Sequence, residues 1–269
     1  MRLFQVDAFT QRRFHGNPAA VVPLPAFPDD DVLQAIAAEN NLSETAFYVP
    51  HEGDAADFRL RWFTPTVEVD LCGHATLATG HVLWTEMGFG LERITFETRS
   101  GVLSVEKASD RYRLDFPALP GSPIDPDNRL VATLATALGR QPEAVLSAPD
   151  LLCVFENKRE VHELAPDPRG VAALCGETYR GVIVTAPGAG HDFVSRFFAP
   201  AAGVDEDPVT GSAHCTLAPY WADRLGRDHL TAHQVSRRGG ELWCTYERER
   251  GRVLLSGHAV TYLRGEIEV

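Results

Sequence analysis

Few residues in the chain are placed to do chemistry. Glu44 lies in Asn40-Asn41-Leu42-Ser43-Glu44-Thr45-Ala46-Phe47, between a helix-like and a strand-like pattern. Flanked by Leu42, Ala46 and Phe47, its carboxylate would be partly desolvated, which suits general acid/base work. An ordinary solvated turn glutamate fits the same residues. His74 follows Gly73 at the start of an apolar run. The positive end of a helix there disfavours imidazolium, so the expectation is a neutral ring that donates to a substrate oxygen, or else a capping or core histidine. Asp207 precedes Pro208, which biases it to extended backbone. Ser212 follows Gly211 at the start of a second apolar run, and for both residues a loop or N-cap role is the plain alternative.

Other chemistries lack their residues. His74/His81 and His229/His233 are seven and four apart, but neither pair carries the glutamate of HExxH. Asp228 and Glu241 do not complete a ligand set, so no metal is expected. Neither GxGxxG nor GxxxxGK[ST] occurs, and Gly188-Ala189-Gly190 reads as a turn. The five cysteines (Cys72, Cys153, Cys175, Cys215 and Cys244) are odd in number and form no CxxC pair. That excludes a zinc knuckle and a disulfide framework and points to a reducing cytoplasm.

The elements that must hold these residues come from a repeat. Arg61 to Gly88 reads RWFTPTVEVDLCGHATLATGHVLWTEMG, and Arg196 to Gly226 reads RFFAPAAGVDEDPVTGSAHCTLAPYWADRLG. Each has Arg, two aromatics, a small residue and Pro, then a loop, then Gly opening an apolar run. From Gly73 to Gly88 and from Gly211 to Gly226 the interval is the same, fifteen residues. Matched periods indicate repeated units. Runs apolar on most sides predict buried helices, and their free N-terminal N–H groups are anion sites. Two such ends facing each other would form a carboxylate-binding cleft between domains.

Alternation predicts strands at 58–63, 94–98, 102–106, 112–116, 182–185, 193–198, 241–246 and 253–256, with helices over Asp29–Ala38 and Asp127–Leu138, the latter stopped by Gly139. Strands outnumber helices without alternating with them, so the fold class is α+β. Phe116–Asp127, with four prolines and a glycine, reads as the linker. The expected domains are residues 1–117 plus 257–269 and residues 122–256, with Gly265–Val269 as a final strand returning to the first. The 269 residues carry 25 Lys and Arg against 37 Asp and Glu, a net charge of −12. This balance argues against nucleic-acid and membrane partners but leaves room for an anionic small molecule in a local pocket. No signal-peptide pattern or apolar run near the ~20 residues of a membrane span occurs.

Four motifs, in order along the whole chain, resemble the phenazine-biosynthesis (PhzF-like) isomerase family: Gly16-Asn17-Pro18-Ala19-Ala20-Val21-Val22, Asn41-Leu42-Ser43-Glu44-Thr45-Ala46-Phe47, Leu71-Cys72-Gly73-His74-Ala75-Thr76 and Asp205-Glu206-Asp207-Pro208-Val209-Thr210-Gly211-Ser212-Ala213. The resemblance implies the diaminopimelate epimerase-like fold: two pseudo-symmetric domains, each a curved, mostly antiparallel, barrel-like sheet around a central helix. It implies Glu44 as the catalytic acid/base. His74, Asp207, Ser212, Gly73 and Gly211 would contact a small anionic substrate. It further implies no cofactor and no metal, a homodimer, and an activity like that of the family's namesake, which isomerises a dihydro-hydroxyanthranilate. Related epimerases use a thiol before the glycine of each central helix. Here those slots hold Cys72 and Thr210, which disfavours a two-thiol racemase, and Cys215 is expected in the core. An amino-acid racemase or epimerase using Glu44 and another base, and a non-catalytic ligand- or partner-binding protein, are the alternatives.

Overall fold

The structure is a computed structural model that describes residues 1–176 and 178–269. The chain folds into two compact units, Met1–Asp115 with Leu255–Val269, and Phe116–Leu254. Each is α+β, as expected. Among the described residues no helix is long and apolar enough to cross a membrane.

The first unit runs β1 (Arg2–Ala8), β2 (Asn17–Pro23), α1 (Asp30–Asn40), β3 (Glu44–Pro50), β4 (Phe58–Phe63), β5 (Glu68–Val69), α2 (Gly73–Thr85), β6 (Arg93–Thr98), β7 (Gly101–Ala108) and β8 (Arg111–Pro117). The second runs β9 (Ser122–Pro123), α3 (Arg129–Leu138), β10 (Ala144–Ser147), β11 (Leu151–Val154), α4 (Lys158–Glu163), α5 (Pro168–Leu174), β12 (Val182–Pro187), β13 (Phe193–Ala199), β14 (Val204–Asp207), α6 (Gly211–Leu225), β15 (His229–Gln234), β16 (Gly240–Glu247) and β17 (Arg252–Gly257). β18 (Ala259–Glu266) then pairs antiparallel with β1. This returning strand begins at Ala259 rather than at the expected Gly265. Its outer residues are exposed, so no alternation marks it.

Both units follow one pairing scheme. β1–β2 is antiparallel, β2–β3 parallel, β3–β4 and β4–β5 antiparallel, β4–β6 parallel and β6–β7 antiparallel. β10 to β16 repeat that order of senses. The repeat's arginines do the same work in each unit. Arg61 donates Nε and a terminal nitrogen to Glu68 at 2.8 and 2.7 Å, and Arg196 does so to Glu206 at 2.6 and 3.0 Å. Each guanidinium also lies over an aromatic two residues on, Phe63 and Phe198. Such bidentate pairs fix the return of the following strand.

The two apolar runs are the buried helices α2 and α6. In α2 every residue from His74 to Trp84 is buried, against β1, β2, β3, β7 and β18. α6 packs on β15 and β16 and carries Pro219 inside it. Proline has no N–H, so the Cys215 carbonyl loses its helical donor. Leu119, in the proline-rich stretch read as a linker, donates its N–H to that carbonyl at 2.9 Å. Cys215 itself is buried, as expected of a core residue.

Candidate active site

The first cluster sits at the start of α2. Glu44 opens β3, and its neighbours Thr45, Ala46 and Phe47 are buried, which leaves the carboxylate 18% exposed. β3 runs parallel to β2, whose first residue is the fully buried Asn17. Gly16 makes that entry possible: its φ is +65°, and a Cβ there would stand 2.1 Å from the Ala8 carbonyl oxygen. Cys72 is the extended N-cap of α2 with no side-chain cap, and His74 lies one residue into the helix from Gly73.

These residues meet around the His74 ring. Nε2 of His74 is 3.1 Å from Oε2 of Glu44. On the other side, Nδ1 is 3.2 Å from the Asn17 side-chain amide and 3.5 Å from Sγ of Cys72. His74 Nε2 and Glu44 Oε2 are both buried, and their close approach is not aligned as a hydrogen bond. Burial pulls the imidazole pKa down, but Cys72 and the Glu44 carboxylate outweigh it and hold it well above the usual histidine value. Cys72 itself is pushed up to about 11, mainly by burial and then by the Glu44 charge, so near neutrality it is a thiol. The pull on His74 at that pH is therefore that of Glu44. This direction runs against the expectation of a neutral His74, since a carboxylate 3.1 Å away favours the charged ring.

The second cluster sits at the start of α6. Asp207 ends β14, Thr210 is the extended N-cap, Gly211 is buried and Ser212 partly exposed. Gln234, the buried last residue of β15, organises them. Its Oε1 accepts the Thr210 backbone N–H at 2.8 Å, which fixes the orientation of the amide. Its Nε2 then donates to the Asp207 carbonyl at 2.8 Å and to the Thr210 hydroxyl at 3.1 Å. With that lone pair used, the Thr210 hydroxyl donates to Oδ2 of Asp207. The network holds Asp207 as an acceptor.

The structure thus brings Glu44, Gly73 and His74 together in one unit, and Asp207, Gly211 and Ser212 together in the other. Sequence reasoning did not single out Asn17 and Gln234. Asn17 stood in a quoted motif, next to a glycine that only a left-handed turn explains. Gln234 had no signal, being one polar residue in a strand of mixed pattern.

Cys72, His74 and Glu44 also offer one sulfur, one nitrogen and one oxygen that all lie within 4.8 Å of one another. Among the described residues this is a group able to hold a metal, and it comes from a pairing that His–His spacing did not reveal.

The sequence matches the phenazine biosynthesis-like protein family, PhzC-PhzF, over residues 6–265. It is 53% identical over 270 residues to an uncharacterized isomerase of Pseudomonas aeruginosa, covering 100% of this chain and 99% of that one. The crystal structure of a PhzF-family phenazine biosynthesis protein from Enterococcus faecalis superposes with a TM-score of 0.93 at 42% identity, covering 100% of this chain and 99% of that one. A hydroxyproline epimerase from Agrobacterium vitis shares the fold at a TM-score of 0.63 and 13% identity, covering 98% of this chain and 91% of that one. The chain belongs to the phenazine biosynthesis-like (PhzC-PhzF) family.

Proposed function

We propose that this protein is a cofactor-independent isomerase that moves a proton within a small cyclic or unsaturated carboxylic acid, with Glu44 as the general acid/base. The observation that carries the reading is the Glu44 carboxylate held 3.1 Å from a buried His74 at a helix N-terminus. The carboxylate takes a proton from a C–H next to a conjugated system, then returns it to another carbon on the same face. Negative charge that builds on the substrate is met by the His74 ring and by the positive end of α2. Asp207, Ser212 and Gly211 are the remaining proposed substrate contacts. General acid–base transfer of this kind supplies ~10²–10⁴-fold.

The test is deuterium uptake from heavy water into dihydro-hydroxyanthranilate. Glu44→Gln keeps the size of the side chain but cannot titrate, so uptake should fall by about 10²–10⁴-fold in a folded protein. Wild-type uptake in that variant would remove Glu44 from the mechanism. A second reading, a racemase with a thiol on one face and a carboxylate on the other, draws on Cys72 at the helix N-cap, 3.5 Å from the His74 ring. Under it, Cys72→Ala would be as inactive as Glu44→Gln.

A further inference from the structure

We infer that Cys72 and His74, at the start of α2, bind one borderline-soft divalent cation of the Zn2+ type, and that Glu44 anchors the imidazole from its far side. In a tetrahedral Zn2+ site, with Zn–S near 2.3 Å and Zn–N near 2.0–2.1 Å, a sulfur and a nitrogen ligand stand about 3.5 Å apart. Cys72 Sγ and His74 Nδ1 stand 3.5 Å apart with no rearrangement. The other ring nitrogen faces the Glu44 carboxylate at 3.1 Å. Metal-bound histidines characteristically have a carboxylate on the side of the second ring nitrogen, which fixes the ring and strengthens it as a ligand.

The side chain of His74 is only 6% exposed, and the sulfur, nitrogen and oxygen of Cys72, His74 and Glu44 all lie within 4.8 Å of one another. The thiol–imidazole donor set selects Zn2+ or Cd2+ over the hard cations Mg2+ and Ca2+. Binding is a ligand exchange without redox change. The S–H proton and the Nδ1 proton of the imidazolium pass to solvent as the two metal bonds form, while Nε2–H stays with Glu44.

The test uses the full chain stripped with EDTA and titrated with Zn2+ by calorimetry and with Cd2+ by ultraviolet absorption and cadmium NMR. The expected result is one site per chain, a thiolate-to-Cd2+ band, and a cadmium shift for one sulfur with nitrogen and oxygen. Cys72→Ser and His74→Gln should each remove the band and weaken binding at least tenfold. Glu44→Gln should keep the band and weaken binding by about 10–100-fold, the usual cost of losing such an outer partner. The wild-type Cd2+ band decides the question even where a variant fails to fold. Absence of the band would overturn the inference. So would saturable binding that survives Cys72→Ser, as at the His191–His233 ring pair of the second unit. Stripped protein that exchanges substrate protons but binds no Zn2+ would sink the metal site and leave the isomerase. Zn2+ bound with a thiolate band by a stripped protein that exchanges nothing would do the reverse.

Discussion

The starts of α2 and α6 share a frame and differ in content. Each follows an extended N-cap residue without a side-chain cap, then a glycine, at the same place in the same strand order. Around α2 a carboxylate, an imidazole and a thiol lie within 4.8 Å of one another. Around α6 the polar groups are tied down, because Gln234 takes the Thr210 N–H, fills a Thr210 lone pair and sends the remaining hydroxyl proton to Asp207. A duplicated frame thus carries a carboxylate–imidazole–thiol cluster at one end and an assigned hydrogen-bond network at the other, the division on which the one-base proposal draws.

The largest expected effect that sharpens this comparison is on stability in acid. Each helix carries one buried histidine lowered to about 4 by burial, His81 in α2 and His214 in α6. His81 lies between the Tyr112 and Thr261 hydroxyls, and His214 Nδ1 donates to the Thr210 carbonyl. A folded-state pKa below the unfolded ~6.5 means that the unfolded chain binds more protons. Stability is therefore full above pH 6.5 and falls towards pH 4 by about 3 kcal/mol for each histidine. His74 has the opposite sign: its raised pKa contributes stability below 6.5 that is lost as pH rises through its folded value. Urea unfolding between pH 4 and 8 checks this, and His81→Gln and His214→Gln should each flatten the acid slope. Acid stability unchanged in His214→Gln would break the account of α6.

Next in size is Gln234→Leu, which leaves the buried Thr210 N–H and the Asp207 carbonyl without this partner. A cost of about 3 kcal/mol in urea unfolding is expected, since each stranded buried group costs roughly 1–3 kcal/mol. A change below half a kcal/mol would mean that the hydrogens at α6 are not held as described. Smaller still is Cys72→Ala, for which proton uptake into substrate should stay within a few-fold of wild type. Uptake as low as in Glu44→Gln would move the thiol into the chemistry and erase the one-base reading.

How much of this was legible follows physical lines. The strand Phe58–Phe63 and the helix stop at Gly139 were readable, because one-sided burial leaves alternation and a left-handed C-cap needs glycine. β2 was not, since Ala19–Val22 are buried on both faces and show no period. The repeat showed where the helices begin and that their starts are equivalent. It could not show that Glu44 reaches His74, a contact made by parallel pairing of β2 with β3 and by packing of α2 on both. Nor could it show the pull that this contact exerts on the charge of His74.

One kinetic comparison tests the central claim most directly: kcat and KM for deuterium uptake in Glu44→Gln beside Asp207→Asn. If α2 supplies the chemistry and α6 the binding, Glu44→Gln should lose kcat by about 10²–10⁴-fold with KM little changed. Asp207→Asn should raise KM and keep most of kcat. The reverse pattern, with Asp207→Asn losing kcat and Glu44→Gln losing only affinity, would contradict the assignment of proton transfer to Glu44.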